Sequence, residues 1–461
     1  MKRIIARLDV KGENVIKGIH LEGLKIVGKP EDLSKKYVKQ NADEIFFQDS
    51  VATLYGRNNL TNIVEKVASE INIPLTVGGG LKSILDIEKV LIAGADKVAI
   101  NTQFIEDKNF VSKTVRRFGS QAIVGSIEAK FISGDWKAFT DNGRNISKYK
   151  VLEWIKILEQ EGVGEIFLTS VDFEGTQKGF DSNLIEKVNA IINTPLIISG
   201  GAGSTNDISK CFKFEKVSGV ALASVLHYNQ LNIDQIRHTT TKDKRNNFAK
   251  SINIKKNKND VAILKTKICN FKSLYNSLKK VCDVKVLEKD NIKNISRLIL
   301  PGVGSFPEFI NELGPEKIEI IKKFNLTKRP MLGICLGAQV MFSEGYEHKK
   351  TKGLNLIDGE VINIKEITKN KKMITPHIGW TKIEIKEHKI FEGIDNFSRM
   401  YFIHSFNFKP EDKKIIFAQS RIQGSLINSV CIKENLIAAQ FHPEKSGLSG
   451  LKFLFNFSTI N

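Results

Sequence analysis

Cysteine is scarce in this chain, and what there is lies scattered, at positions 211, 269, 282, 335 and 431. An odd, dispersed set excludes a disulfide framework and fits a reducing compartment; none of the spacings is metal-like, so no metal is expected. No run of 18 apolar residues occurs and no signal peptide opens the chain. A soluble, cytoplasmic protein with no membrane partner is therefore expected. A glycine-rich dinucleotide fingerprint is also missing, and no cofactor is expected. The chain lacks a basic stripe as well. Its 70 Lys and Arg against 51 Asp and Glu give a net charge of +19, which permits nucleic-acid binding or attraction of phosphorylated substrates. The lysines, however, are interleaved with Glu and Asp throughout. That is a general lysine bias, and no nucleic-acid partner is expected.

What is present is enough chain for two or three domains: 461 residues, 41% of them hydrophobic. Eight β-rich runs alternate with longer helical patterns over the first 225 residues or so. They are 3–10, 43–49, 74–78, 97–101, 122–128, 165–171, 195–199 and 219–224. Their number and length predict a (β/α)8 barrel over 1–238, with an open doubly wound sheet as the alternative. An internal repeat sharpens the prediction. Ala42-Asp-Glu-Ile-Phe-Phe47 returns as Val163-Gly-Glu-Ile-Phe-Leu168, and Pro74-Leu-Thr-Val-Gly-Gly79 as Pro195-Leu-Ile-Ile-Ser-Gly200, both 121 residues later. Asp9, ending the first strand, matches Glu128 at a spacing of 119.

Function in such a barrel sits at the C-terminal ends of the strands. Gly80, Asn101 and Thr102 fall there in one half, and Gly175, Gly201 and Ser224 in the other. Glycines let backbone N–H groups close on phosphate oxygens, and helix N-termini favour the charge. Two such clusters at one repeat spacing imply an elongated bisphosphate ligand, although either cluster by itself is also what a tight turn looks like. Asp9 and Glu128 lie between them. Paired carboxylates can divide acid and base work; the alternative is that they cap neighbouring loops. Residues 239–258, rich in Lys and Asn, have the composition of a linker.

Beyond it, 259–461 forms another domain. Pro330-Met-Leu-Gly-Ile-Cys335-Leu-Gly-Ala-Gln339 has small residues on both sides of a Cys between a strand-like run and helix formers. That pattern predicts a nucleophile elbow. Gln440-Phe-His442-Pro-Glu444 supplies a base and an acid two residues beyond it, so Cys335, His442 and Glu444 are the candidate triad. Gly302 and Gly304, in a glycine turn after a strand, can turn backbone N–H groups toward an oxyanion. Leu336 and Gln339 are expected alongside them around the glutamine. His377 and His404 are alternative bases, set aside because only His442 has the acid at i+2.

The motifs Pro301-Gly-Val-Gly304, Gly333-Ile-Cys-Leu-Gly337 and Phe441-His-Pro-Glu444 resemble, in order, those of class I glutamine amidotransferases. The resemblance implies release of ammonia from glutamine through a thioester. The first half resembles the cyclase of imidazole glycerol phosphate synthase. It does so through Arg3-Ile-Ile-Ala-Arg-Leu-Asp9-Val-Lys11, Thr76-Val-Gly-Gly-Gly80, Ala95-Asp-Lys-Val-Ala-Ile-Asn101-Thr102, Leu168-Thr-Ser-Val-Asp172 and Ser199-Gly-Gly-Ala-Gly203. Such enzymes take ammonia through the barrel and close an imidazole ring in histidine synthesis, so the two domains are expected to be partners. Arg3, Glu44, Lys97 and Glu165 match the charged ring at the family's ammonia entrance; the plainer alternative is salt bridging that only stabilises.

Three features depart from the family pattern. Glu128 replaces the second catalytic Asp, and Asn142 stands where a small hydroxyl residue is usual. The fusion order is also unusual. Glu128 and Thr53-Leu-Tyr-Gly-Arg-Asn58 resemble paralogues that supply ammonia for amidation of surface-polysaccharide sugars by a separate ATP-dependent synthetase. Pro376-His377-Ile-Gly-Trp380 matches a family loop that meets the barrel, and Asn270-Phe-Lys-Ser273 partly matches the first loop of the glutaminase.

Overall fold

The computed structural model describes residues 2–50, 60–240, 256, 259–266, 271–288, 291–370 and 372–460. The motif at 53–58, Cys269, Asn270 and most of the linker lie outside the described residues. The chain forms two compact units, one N-terminal and one C-terminal.

The N-terminal unit contains eight parallel strands: β1 (Arg3–Lys11), β2 (Glu44–Asp49), β3 (Leu75–Gly78), β4 (Lys97–Ile100), β5 (Ile123–Ile132), β6 (Glu165–Ser170), β7 (Leu196–Ser199) and β8 (Val217–Leu222). Each pairs with the next, and β8 pairs with β1, so the barrel closes. Successive side chains on a strand point to opposite faces. On β1 this sends Arg3, Ile5, Arg7 and Asp9 into the barrel interior, where all are buried. Ile4, Ala6, Leu8 and Val10, equally buried, lie on the helix-facing side.

The repeat is exact in two of the four strand pairs: β2 and β6, and β3 and β7, have matching limits 121 residues apart. It extends to helix capping. The helix after β3 begins with a reciprocal Ser83–Asp86 box, and the helix after β7 with Ser204–Asp207, again 121 residues on.

One expectation needs extending. Strand β5 runs on to Ile132 and continues into Asp135–Thr140 and Asn145–Lys150, just as β1 is followed by Asn14–Ile19 and Glu22–Gly28. The barrel therefore carries two repeat-related excursions.

Inside the barrel, Ile5, Phe46, Ala99, Val124, Phe167, Ile197 and Ala221 form an apolar layer. Phe46 and Phe167, repeat partners on opposite strands, stack with ring centroids 3.9 Å apart and planes 17° from parallel. Burying each ring contributes about 2–3 kcal/mol, and the pairing about 1 kcal/mol more. This layer is a packed floor beneath the mouth.

The C-terminal unit is built on a nine-stranded sheet. Its strands are β9 (Asp260–Leu264), β10 (Asp283–Leu287), β11 (Arg297–Leu300), β12 (Met331–Ile334), β13 (His377–Ile385), β14 (Arg399–His404), β15 (Ile416–Ile422), β16 (Ser425–Lys433) and β17 (Leu436–Ala439). Their order is β10-β9-β11-β12-β17-β16-β15-β13-β14, parallel as far as β17 and antiparallel after it. Helices Phe271–Lys279 and Gly447–Thr459 pack on one face, Phe306–Leu326 on the other. Residues 377–380 begin β13, which corrects their expected placement in a loop: backbone pairing of His377 with His404 makes them strand. Among the described residues no helix is long and apolar enough to cross a membrane.

Candidate active site

Strand β12 runs directly into Cys335, whose backbone is held at φ 51° and ψ −111°. That is a strained position for a residue with a Cβ. The surroundings enforce it. The Cys335 amide donates to the Ala439 carbonyl at 2.8 Å, and its own carbonyl accepts from the Ala338 and Gln339 amides of the next helix, Leu336–Gln339. The flanking glycines are there for want of room: a Cβ on Gly333 would lie 2.6 Å from the Ala338 Cα, and one on Gly337 2.0 Å from the Leu300 carbonyl. Gly302 closes on the same turn, 2.5 Å from the Gly337 amide by the same measure. Both glycine motifs thus converge on one sulfur.

Strand β17 ends one residue before Gln440, whose Nε2 lies 3.7 Å from the sulfur. His442 follows, with Nδ1 2.8 Å from the Glu444 carboxylate. Cys335, His442 and Glu444 are all buried. Burial disfavours charge on His442, yet Glu444 and the Cys335 sulfur outweigh it and hold the imidazole well above its ordinary pKa. The sulfur is therefore within electrostatic reach, while His442 Nε2 has no hydrogen bond of full geometry. Such pairs commonly tighten only when substrate arrives. His404 is different: burial pulls it down to about 4, and its Nδ1 is engaged with the Phe406 carbonyl at 2.8 Å. Its neutral ring belongs to the interior. His377 Nε2 is 2.9 Å from Thr381 Oγ1.

Gln339, expected beside the glutamine, lies buried next to Gln440. Its Nε2 donates to the Phe406 carbonyl at 2.9 Å and to Gln440 Oε1 at 3.1 Å. One donor thus ties Gln339 to Phe406 and the other braces Gln440, whose own Nε2 faces the sulfur.

In the barrel, Asp9 lies opposite Gln48 on β2, and Glu128 opposite Thr169 on β6. Positions 48 and 169 are one repeat apart, so the two carboxylates hold equivalent posts. Their surroundings are not equivalent. Arg7 Nε donates to Asp9 Oδ1 at 2.8 Å, and Lys17 Nζ lies 3.6 Å from Oδ2. Burial alone would raise the Asp9 carboxyl, but those two cations outweigh it and hold it below the usual carboxylate range. Among the described residues Glu128 accepts only the Gly143 amide, at 2.7 Å. That amide is presented by a turn in which Asp141, Asn142 and Gly143 are all left-handed, a conformation Asn, Asp and Gly tolerate best. Burial pushes Glu128 up to about 7, with the amide and Arg7 offsetting it only in part.

Glu128 opens onto a pocket that is also lined by Gly80, Asn101, Thr102, Lys82 and Arg144. The first half's predicted anion groups are thus gathered around one carboxylate. Gly175, Gly201 and Ser224 lie outside that cavity. Gly175 has a packing reason for its identity, since a Cβ there would come 2.5 Å from the Gly18 carbonyl of the first excursion. Ser224 starts the helix Ser224–His227, and the backbone before it (φ −127°, ψ −78°) closely repeats that before Thr102 (φ −115°, ψ −81°).

Comparison with known proteins agrees with this geometry. Residues 3–232 match the family described as "Histidine biosynthesis protein", and residues 237–460 match "Glutamine amidotransferase class-I". The chain is similar to the protein named imidazole glycerol phosphate synthase subunit HisF of Legionella pneumophila, 50% identical over 208 residues, 45% of this chain and 98% of that one. The proteins of the same name from Saccharolobus solfataricus and Prochlorococcus marinus are 41% and 42% identical, covering 51% of this chain and 94% and 93% of theirs. The chain belongs to the imidazole glycerol phosphate synthase family. It is an enzyme in which a barrel of that family is fused to a class I glutamine amidotransferase domain.

At the opposite end of this synthase-type barrel, Arg3, Glu44, Lys97 and Glu165 are fully buried and form a closed ring of alternating charge. Arg3 pairs with Glu44 at 2.8 Å and with Glu165; Lys97 pairs with Glu44 at 2.7 Å and with Glu165 at 2.6 Å. Burying four charges is tolerable only because each meets two of opposite sign.

Four residues around the sites went unrecognised in the sequence. Alternation from Arg3 would have found Arg7, and Gln440 stands next to a motif already singled out. Lys17 and Glu174, which pair across 157 residues, carry no local signal at all.

Proposed function

We propose that this chain is a glutamine-dependent imidazole glycerol phosphate synthase of histidine biosynthesis, with both activities on one polypeptide. Cys335 attacks the glutamine amide carbon while His442 takes the thiol proton and passes it to the departing ammonia; Glu444 holds the imidazole by Nδ1. The Leu336 amide and the Gly302–Gly304 turn serve the oxyanion, and water then hydrolyses the thioester to glutamate. In the barrel, ammonia enters a phosphorylated acceptor held at Gly80, Asn101 and Thr102 in one half and at Gly175, Gly201 and Ser224 in the other. Ionised Asp9 serves as base and protonated Glu128 as acid, the division expected when environments push two carboxyl pKa values apart. Ring closure releases imidazole glycerol phosphate and aminoimidazole carboxamide ribotide. The charged ring is read as the ammonia entrance, and passage through the interior requires the ring, the Phe46–Phe167 stack and Arg7 to shift. A reducing cytoplasm suits the four described cysteines, all of them free.

The observation that carries this reading is the pair of repeat-related carboxylates at one barrel mouth, in a chain that also holds a cysteine triad. A second reading, ammonia supply to a separate sugar-amidating synthetase, is favoured by Glu128 and by Arg7, whose guanidinium fills part of the interior. The test is incubation with the bisphosphate substrate of histidine synthesis, supplied with glutamine or with ammonium. Cys335→Ala is expected to lose glutamine-driven product by roughly 10⁴-fold or more and to keep ammonium-driven product. No imidazole product with ammonium in excess, from protein that still hydrolyses glutamine, would refute the cyclase and leave the second reading.

A further inference from the structure

Arg7 sits where the repeat offers no counterpart. At the spacing of 119 that relates Asp9 to Glu128, its equivalent is Ser126. Its side chain rises from β1 and crosses the interior: Nη1 donates to Thr169 Oγ1 on β6 at 3.1 Å and to Ser199 Oγ on β7 at 3.0 Å. The guanidinium carbon lies 5.7 Å from the centre of the Phe167 ring, which is itself clamped on Phe46. Three anchors on the far wall thus fix the fork, and the remaining Nε donates to Asp9. A planar guanidinium held this way dictates the direction of the carboxylate it bonds.

We propose that Arg7 is a positioning residue for Asp9: anchored across the barrel, it fixes where that carboxylate points and so makes two repeat-related carboxylates unequal. The proposal rests on the reading that Asp9 and Glu128 share the acid–base work. The other charged or titratable groups acting on Asp9 are Lys17 from the Asn14–Ile19 strand, His227 from the Ser224–His227 helix and Glu128 from β5. Burial lowers His227 to about 4, so it is neutral near pH 7. Lys17 is shared with Glu174, which also lies 3.9 Å from Arg7 Nη1. Arg7 is therefore the cation closest to Asp9, and the one anchored on strands β6 and β7.

Ammonium-driven product formation by the full chain, followed across pH, reads Asp9 through its acid limb. Arg7→Gln keeps much of the length and none of the charge, and is expected to move that limb up by about one unit or more, a tenfold change in proton affinity. Arg7→Lys keeps the charge but not the fork, so the limb should stay within about half a unit while kcat falls about tenfold. Carbon-13 NMR of aspartate-labelled protein, with Asp9→Asn giving the assignment, follows the same ionisation without turnover. An Asp9 titration unmoved by Arg7→Gln, or an undiminished kcat in Arg7→Lys, overturns the proposal; the second measurement decides alone if Arg7→Gln does not fold. A shifted Asp9 resonance in protein that makes no product from ammonium at any pH overturns the acid–base reading and still supports the hold of Arg7 on Asp9.

Discussion

The two halves of the barrel share the limits of two strand pairs, a capping box and the posts of their two carboxylates, yet they differ at the mouth. Around Asp9 the space is filled: Arg7 and Lys17 converge on it, and Glu174 closes over Lys17. Around Glu128 it is open, because Ser126 and a cavity occupy the place that Arg7 takes in the other half. The same fold position therefore yields an ionised group in one half and a protonatable one in the other. On the proposed reading, a twofold scaffold gains division of labour through the side chains beside its two carboxylates.

The comparison breaks most visibly through Glu128. Glu128→Gln removes the proton donor and is expected to slow ammonium-driven product formation by roughly 10²–10⁴-fold, whereas Ser126→Ala stays within about threefold. Steady-state rates at pH 7 decide, and near-parental activity in Glu128→Gln would mean that the halves do not differ in chemistry. Next in size is stability. Arg7→Ala leaves Asp9 buried beside a lost partner and should cost about 3–5 kcal/mol in denaturant unfolding; Ser126→Ala should cost under about 0.5 kcal/mol. Equal costs would dissolve the contrast.

The smallest effect concerns pH. Glu128 has a raised folded-state pKa of about 7, so its favourable contribution is complete below the ordinary glutamate range and is lost as pH rises through 7. The kcat/KM for the ammonium-driven reaction should fall with one proton on that same limb. Glu128→Gln removes the penalty above pH 7, worth about 1–3 kcal/mol, and should raise Tm by a few degrees at pH 8 and hardly at all at pH 4. A gain of the same size at both values would point to packing instead.

Much of this was legible in the sequence where the signal is local or periodic. The eight strands, the offset of 121 and the elbow around Cys335 follow from runs and spacings that the backbone geometry obeys. The excursions after β1 and β5 were not legible, because their short strands follow no regular alternation of buried and exposed residues and resemble loops. Asn142 looked like a mere departure from a family pattern. In the structure it is the middle of a left-handed turn that brings the Gly143 amide to the longer arm of Glu128. Gln339 is legible from the motif as a residue near the glutamine, but its bonds to Phe406 and Gln440 are not, because only the fold brings those partners near. Pairings over long sequence distances, such as Lys17 with Glu174, had no trace that one sequence could supply.

The charged ring has a consequence for how the molecule comes into being. Its members are divided unevenly between the repeats: Arg3, Glu44 and Lys97 belong to the first four strands, and only Glu165 to the last four. The first half alone therefore carries a surplus cation and the second a lone carboxylate, which could stay unmatched only where water reaches them. A chain with the marks of duplication thus satisfies these interior charges only when both of its halves contribute to one ring.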